Sequence, residues 1–196
     1  MLKKILLATH NSGKIKELRT MLSPFNIEVI SASELKLPNI EETGTTFAEN
    51  AALKAEALSA LTNLPCLADD SGLCVDALDG RPGVYSARYA PERNFDIAMD
   101  KLIAELKESG KSDWSAHFSC ILAFKEPQKE TCFFEGRVDG KIIDTKKGAK
   151  GFGFDPIFMP NGFTTTFAEM SAEQKAAISH RGKALQQFIK KVSEAV

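Results

Sequence analysis

The chain opens with an apolar run from Lys3 to Thr9 that stops at the polar turn His10-Asn11-Ser12-Gly13. A short apolar run bounded in this way predicts a buried first strand. Ile15, Leu18, Met21 and Leu22 follow at helical spacing, and Pro24 ends that helix. Ile27 to Ile30 reads as a second short strand, and residues 31–45, punctuated by Pro38 and Gly44, read as a loop. Thr46-Phe47-Ala48-Glu49 has the capping-box pattern of a hydroxyl followed three residues later by glutamate, and it opens an alanine- and leucine-rich helix to about Leu61. A strand through Pro65 to Ala68 then delivers Asp69 and Asp70 at its end. Gly80-Arg81-Pro82-Gly83 breaks the chain, and Asn94 to Lys107 is amphipathic at helical period.

Trp114 to Lys125 and Thr131 to Val138 predict a hairpin around Glu126-Pro127-Gln128, with Ala116, Phe118, Cys120, Leu122 and Phe124 on one face of the first strand. Val138 to Ile143 extends the second strand past Gly140. A glycine-rich segment, Gly148 to Gly153, leads into Phe154-Asp155-Pro156, and helices run from about Ser171 toward the end of the chain. No internal repeat or low-complexity segment interrupts the pattern. Strands and helices mix without strict βαβ alternation, so the expected architecture is α/β, a mixed sheet flanked by helices.

Composition narrows the chemistry. The 196 residues suit one domain, or one domain with two lobes. With 43% apolar and 26% charged residues the chain is an ordinary globular sequence able to bury a sizeable core. A net charge of -1 gives no electrostatic footprint for nucleic acid or an anionic membrane, so a phosphate ligand has to be captured by local donors. The four cysteines, at 66, 74, 120 and 132, form no C-x-x-C pair, which argues against a zinc ribbon or thioredoxin-like site. Cys120 and Cys132 are placed to face each other across the hairpin as small buried apolar groups. The four apolar residues after Met1-Leu2-Lys3-Lys4 are too few for a signal peptide, and no long apolar run follows; the expectation is a cytoplasmic protein with reduced thiols and no membrane partner.

Five constellations carry candidate chemistry. In Leu67-Ala68-Asp69-Asp70-Ser71-Gly72-Leu73, two adjacent carboxylates end an apolar approach, an arrangement that is costly unless a cation lies between them or one holds a proton. It points to a divalent metal and phosphate chemistry, while a solvated Asx turn is the ordinary alternative. Thr9-His10-Asn11-Ser12-Gly13-Lys14 is a strand–turn–helix junction whose backbone N–H groups and lysine suit an anion; it lacks the glycine and hydroxyl placement of a Walker A loop. Glu41-Glu42-Thr43-Gly44 offers a hard-cation ligand to set beside Asp70. Gly151-Phe152-Gly153-Phe154-Asp155-Pro156 could stack a planar base on an aromatic ring and accept its N–H groups at Asp155, or simply pack in the core. Lys175 and Ser179-His180-Arg181-Gly182 collect donors that would read carbonyl oxygens and reject amino groups. A phosphate cradle, a metal site, a base platform and keto-reading donors are together what a nucleoside triphosphate requires; each alone is also compatible with a binding module that does no chemistry.

Taken in order, Thr9-x-Asn11-x-x-Lys14, Glu41-Glu42-Thr43-Gly44, Phe47-x-Glu49-Asn50-Ala51, Asp69-Asp70-Ser71-Gly72-Leu73, Pro82-Gly83-Val84-Tyr85-Ser86-Ala87-Arg88-Tyr89, Gly151 to Pro156 and Ser179 to Gly182 resemble the inosine triphosphate pyrophosphatase family, the enzymes that clear dITP and XTP from the nucleotide pool. The resemblance runs from residue 3 to about 190. It implies one pyrophosphatase domain over residues 1–196, an elongated two-lobed fold with a long mixed sheet and a central substrate cleft, and a homodimer. It also implies Mg²⁺-dependent hydrolysis of ITP, dITP or XTP to the monophosphate and pyrophosphate. By position, Thr9, His10, Asn11, Ser12, Gly13 and Lys14 would hold the triphosphate, Glu41 and Asp70 the metal, and Asp70 would also accept the proton. Ser71 would touch the substrate; Phe152, Gly153, Phe154 and Asp155 would hold base and sugar, and Lys175, His180 and Arg181 would complete the base pocket. Two positions depart from the family pattern: His10 stands where many bacterial relatives have glycine, and Phe154 where tyrosine is common. A related pyrophosphatase class, the Maf-like enzymes, begins with a Ser-x-Ser-Pro-Arg-Arg style turn that this chain lacks.

Overall fold

The structure is a computed structural model and describes residues 2–194. Its strands are β1 (Lys4–Leu7), β2 (Glu28–Ser31), β3 (Cys66–Val75), β4 (Ser115–Lys125), β5 (Cys132–Ile142) and β6 (Phe158–Pro160). The helices are α1 (Ser12–Leu22), α2 (Phe47–Thr62), α3 (Phe95–Glu108), α4 (Ala172–Ile178) and α5 (His180–Glu194). The strands form one sheet in the order β2-β1-β3-β4-β5-β6. It is mixed, since β1 pairs parallel with β2 and β3 whereas β5 pairs antiparallel with β6. The expected α/β fold with a mixed sheet and flanking helices is therefore present. Among the described residues no helix is long and apolar enough to cross a membrane.

The chain divides into two compact units, one of residues 1–70, 120–136 and 181–196, the other of residues 71–119 and 137–180. In the first unit β1 is apolar on both faces, as a strand covered on both sides must be. Ile5 and Leu7 join Leu18, Leu22, Leu67, Leu122 and Phe188 in one cluster, while Leu6 and Ala8 join Ala51, Ala55, Leu58 and Ala68 in another. The alanines of α2 explain how that helix packs against the strands. They bring its buried face, Asn50, Ala51, Lys54, Ala55 and Leu58, close to the sheet. The predicted capping box is there: the Thr46 side chain accepts from the Glu49 N–H, and the Glu49 carboxylate accepts from the Thr46 N–H.

In the second unit the core gathers on α3. Ala98, Met99, Leu102, Ile103 and Leu106 recur at helical spacing and pack with Phe118, Val138, Ile142, Phe154, Phe158 and Phe167. The shared face predicted for β4 is buried at all five positions, and β5 does continue through Gly140 to Ile142. Two features were not expected. The strand carrying Asp69 and Asp70 does not end there but runs on to Val75, and a short β6 closes the sheet edge against β5. The Asp69-Asp70 run is polar in a strand interior, so propensity alone argues for a stop; Leu73 and Val75, both fully buried in the second unit's core, carry the strand onward. All four cysteines are free thiols, and Cys120 and Cys132 belong to the same apolar cluster.

Leu102, fully buried on α3, reports on the second core. Leu102→Ala is expected to destabilise the protein by about 2–5 kcal/mol. The change should appear as a lower urea midpoint at an unchanged slope.

Candidate active site

In the first unit β1 lies between β2 and β3, all parallel, with Leu7 beside both Ser31 and Leu67. The chain leaves β1 to one side and comes back on the other. In α/β sheets such a reversal is where the carboxyl ends of strands receive ligands. Here β1 runs out into Thr9 and the start of α1, while β3 carries Asp69 and Asp70.

The junction after β1 is a built turn. Thr9 Oγ1 accepts from the Asn11 N–H (3.1 Å), and the Asn11 side chain caps α1 by accepting from the Lys14 N–H (3.1 Å). The first intrahelical bond is Ile15 N–H to Asn11 C=O, so the N–H groups of Ser12 and Gly13 have no acceptor within the helix. Unsatisfied N–H groups at a helix start are the kind of donors that could receive an anion; the Lys14 side chain beside them is paired with Asp69. His10 is exposed, with Nε2 3.0 Å from the Leu37 carbonyl oxygen.

The two adjacent aspartates do not face each other, because successive side chains of a strand point to opposite faces. Asp69 is 1% exposed and its carboxylate receives Lys14 Nζ (2.6 Å), Arg181 Nε (2.7 Å) and the Cys120 thiol (3.3 Å). Arg181, also buried, donates in addition to Glu17 Oε2 at 2.6 Å. Burial alone would raise the Asp69 pKa, but the Arg181 and Lys14 charges outweigh it and hold the carboxyl well below its ordinary value of 3.8. Asp70 is shifted the other way. Burial raises it, against the pull of Lys54 and Lys14. Its Oδ2 is buried without a hydrogen-bond partner, while Oδ1 lies 3.4 Å from Lys54 Nζ.

Lys54, on the buried face of α2, is a residue of this cluster that the sequence pattern alone does not single out. Its Nζ lies 2.6 Å from Glu42 Oε1 and 2.9 Å from the Asp69 carbonyl oxygen. That same carbonyl oxygen accepts from Lys14 Nζ at 3.2 Å, so one backbone group carries two lysines. Burial works against the Lys54 charge, but Asp70 and Glu42 overcome it and raise its pKa. The signal for Lys54 was available. It lies four residues after Asn50 and four before Leu58, so it is a lysine on an otherwise buried stripe. Glu42 is the member of the Glu41-Glu42 pair that meets Lys54, while Glu41 is exposed on the same loop. The loop is pinned at Gly44, whose N–H donates to Asn50 Oδ1 at 2.8 Å. A side chain at Gly44 would come within 2.6 Å of Glu49 Cβ, so only glycine fits there. Among the described residues no group of three or more His, Cys, Asp or Glu side chains converges as a metal cage.

The second unit holds the aromatic segment. Gly151 has φ +71°, and a Cβ there would lie 2.0 Å from Asp155 Oδ2. The missing side chain lets that carboxylate tuck under the loop, where it accepts from the Phe152 N–H (2.9 Å) and from Lys175 Nζ (2.5 Å). Asp155 is 2% exposed, so it shapes the loop and anchors the lysine. Lys175 Nζ lies 5.1 Å from the Phe152 ring centroid and 5.5 Å from that of Phe167, within cation–π range. Of the two aromatics flanking Gly153, Phe154 is a core residue, edge-on to Phe95 at 5.5 Å, and Phe152 is half-buried. His180 is buried and stacks on Phe118 at 4.7 Å and 10°. Ser71 is half-buried on β3.

The structure thus brings together Lys14, Asp69, Asp70 and Arg181 in the first unit, and Phe152, Asp155 and Lys175 in the second. The guanidinium of Arg181, a candidate donor to the base, grips Asp69 and Glu17 in the first unit.

Two lysines beside the adjacent aspartates of β3, a helix start with unsatisfied N–H groups and a buried acid with a raised pKa make this the candidate site for phosphate chemistry. Comparison with known proteins agrees: the Ham1 family pattern matches residues 5–191, and the chain belongs to that family. It is 50% identical over 192 residues to a dITP/XTP pyrophosphatase of Oceanobacillus iheyensis, covering 96% of this chain and 98% of that one. It is 47% identical over 195 residues to the dITP/XTP pyrophosphatase of Listeria monocytogenes, covering 98% and 96%. Among solved structures, a HAM1 protein from Coxiella burnetii superposes with a TM-score of 0.89 at 41% identity, covering 99% of this chain and all of that one.

The Asp69 cluster gives a test by pH. Its folded pKa lies below the value of 3.8, so between the two the unfolded chain binds more protons. The stability it contributes is complete above pH 3.8 and is lost as pH falls toward the folded value. Asp69→Asn should therefore cost about 3–5 kcal/mol at neutral pH. In urea titrations its deficit against the unmodified protein should shrink as pH is lowered through 3.8.

Proposed function

We propose that this chain hydrolyses non-standard purine nucleoside triphosphates (ITP, dITP and XTP) to the nucleoside monophosphate and pyrophosphate, and so keeps these bases out of DNA and RNA. The naming of its relatives as dITP/XTP pyrophosphatases supports this reading. The observation that carries it is Asp70, a buried carboxylate with a raised pKa and an unpartnered Oδ2, set beside two lysines that share one carbonyl acceptor.

In this mechanism the triphosphate lies on the N–H groups of the turn from Thr9 to Gly13, and Lys14 neutralises charge on it. Lys54 adds a second ammonium. Asp70 takes a proton from the attacking water as the new bond forms to the α-phosphorus; the bond to the bridging oxygen breaks, and pyrophosphate departs with its electron pair. A carboxylate with a raised pKa is the better base for that step. A divalent ion fits the residues present. Asp70 Oδ2 lacks a partner, and Glu41 is an exposed carboxylate on the loop that brings Glu42 to Lys54. Mg²⁺ commonly takes only one or two carboxylates and completes its shell with water and phosphate oxygens. Held by Asp70 and Glu41, it would supply charge neutralisation and alignment of the phosphates.

For the base, Phe152 offers the stacking face and Lys175 a donor for a 6-keto oxygen, with Asp155 holding the lysine in place. An adenine 6-amino group would meet that ammonium donor to donor. Ser71 and His180 belong to the proposed base-binding side of the second unit; in the first unit Arg181 acts by fixing Asp69 and, through Asp69, Lys14. A homodimer in the cytoplasm completes the proposal; Tyr85 and Ile97, 60% and 50% exposed, supply apolar surface for a partner copy.

Pyrophosphate release from ITP, XTP, dITP, ATP, GTP and CTP, with Mg²⁺ and with EDTA, tests the assignment. Fast release from ITP and XTP, abolished by EDTA and near background for ATP and CTP, is the expected result; release from CTP instead would move the protein to a pyrimidine-directed class. Asp70→Asn should lose ~10²–10⁴-fold in kcat while its unfolding transition stays cooperative. Lys175→Met should erode the ITP-over-ATP ratio of kcat/KM by about 10-fold or more, because the keto group loses its donor.

A further inference from the structure

Lys54 Nζ sits where a metal's positive charge would be wanted. An ammonium has three donors and no acceptor. Here all three meet oxygens: Glu42 Oε1 at 2.6 Å, the Asp69 carbonyl at 2.9 Å and Asp70 Oδ1 at 3.4 Å. The side chain is only 11% exposed, and its stem rises from a helix face packed by Ala51, Ala55 and Leu58. The ammonium is thus an internal cation with a coordination shell made by the protein. The acidic loop that supplies Glu42 is fixed at Gly44 by Asn50.

We infer that Lys54 is a built-in counter-ion that competes with a divalent metal for Asp70, so that the metal enters together with a triphosphate and not ahead of it. This rests on the proposed metal role of Asp70. A dication bound to Asp70 would face the Lys54 charge at close range, and like charges in a poorly solvated site repel strongly. Lys54 cannot retreat into the apolar face behind it without leaving a buried ammonium unpaired. A polyphosphate supplies the missing acceptors: its oxygens can take the ammonium as the metal takes the carboxylate. Metal and triphosphate then raise each other's affinity, and the coupling is reciprocal. A hydrolase built this way keeps one oxygen of its acid–base carboxylate, Asp70 Oδ1, beside an internal cation until substrate arrives.

The test is Mn²⁺ binding to the nucleotide-free protein, read by loss of the free-ion EPR signal. Lys54→Met, close in shape and without charge, should bind Mn²⁺ ~10-fold or more tightly than the unmodified protein, since the repulsive cation is gone. Adding Asp70→Asn to that variant should abolish the gain. Circular dichroism checks that the variants fold, and Lys54→Gln serves under the same criterion should the methionine variant fail to fold. Equal Mn²⁺ affinity with and without the lysine charge overturns the inference. So does tight Mn²⁺ binding by the unmodified nucleotide-free protein that Asp70→Asn removes, a result that needs no Lys54 variant. Failure of the underlying reading looks different: pyrophosphate release from ITP that survives EDTA would remove the metal role of Asp70 itself.

Discussion

The polar half of the first unit depends on keeping the Asp69 charge out of water. An ionised carboxylate taken fully from solvent carries a penalty of several kcal/mol unless its acceptor sites are matched by donors of opposite charge. Asp69 has room for about four hydrogen bonds, and Lys14, Arg181 Nε and Nη2 and the Cys120 thiol occupy that room. These partners come from α1, α5 and β4, which are far apart in sequence. The requirement to satisfy one carboxylate therefore ties three elements to β3 and fixes where the Lys14 side chain ends. Once the strand is held in that register, alternation sends Asp70 to the opposite face, toward α2 and Lys54. The opposite pKa shifts of two neighbouring aspartates follow from this alternation together with the different cations on each side. Groups whose environments drive their pKa values apart are the usual source of distinct structural and acid–base roles.

The second unit solves a smaller version of the same problem. Asp155 is buried, accepts from its own loop at Phe152 and from Lys175, and needs Gly151 to have no side chain. The loop conformation, the position of the lysine and the presentation of the Phe152 ring are consequences of one buried acceptor. Phe154, two residues on, is drawn into the core by Phe95 and Tyr89. The short aromatic segment is thus divided by packing into a ring that stabilises the unit and a ring left half-buried.

Much of this was legible in the sequence. The apolar run of β1, the Thr46 capping box, the five-residue face of β4 and the helical stripe of α3 were readable because each rests on local periodicity or local hydrogen bonds. The polar loops that mattered were legible as motifs for the same reason, since a turn such as Thr9 to Lys14 closes on itself. What escaped was long-range pairing. That β3 continues past Asp70 depends on Leu73 and Val75 being wanted by a core assembled from much later segments. That Arg181 grips Asp69 and Glu17 depends on contacts across 112 and 164 residues, which no window of sequence contains. Lys54 lay between these cases: its place on a buried stripe was visible, but its partners were not.

The choice of cation at each point follows the same physics. Arg181 is always charged, planar and able to grip two carboxylates at once, properties suited to a fixed anchor. A lysine there would present one point charge and could not span Asp69 and Glu17 with the same geometry. Lys14 and Lys54 are flexible four-carbon stems with a compact ammonium, and both rest partly on a neutral acceptor, the Asp69 carbonyl oxygen. A bond to a neutral carbonyl is weaker than one to a carboxylate or a phosphate. In the proposed mechanism an incoming polyanion would draw either lysine from that oxygen; moving Lys14 would also give up its 2.6 Å bond to the Asp69 carboxylate, leaving Arg181 and Cys120 to hold that charge. In that mechanism the anchor and the movable charges suit different residue types, because rigidity at Asp69 would give the lysines a defined place to move from.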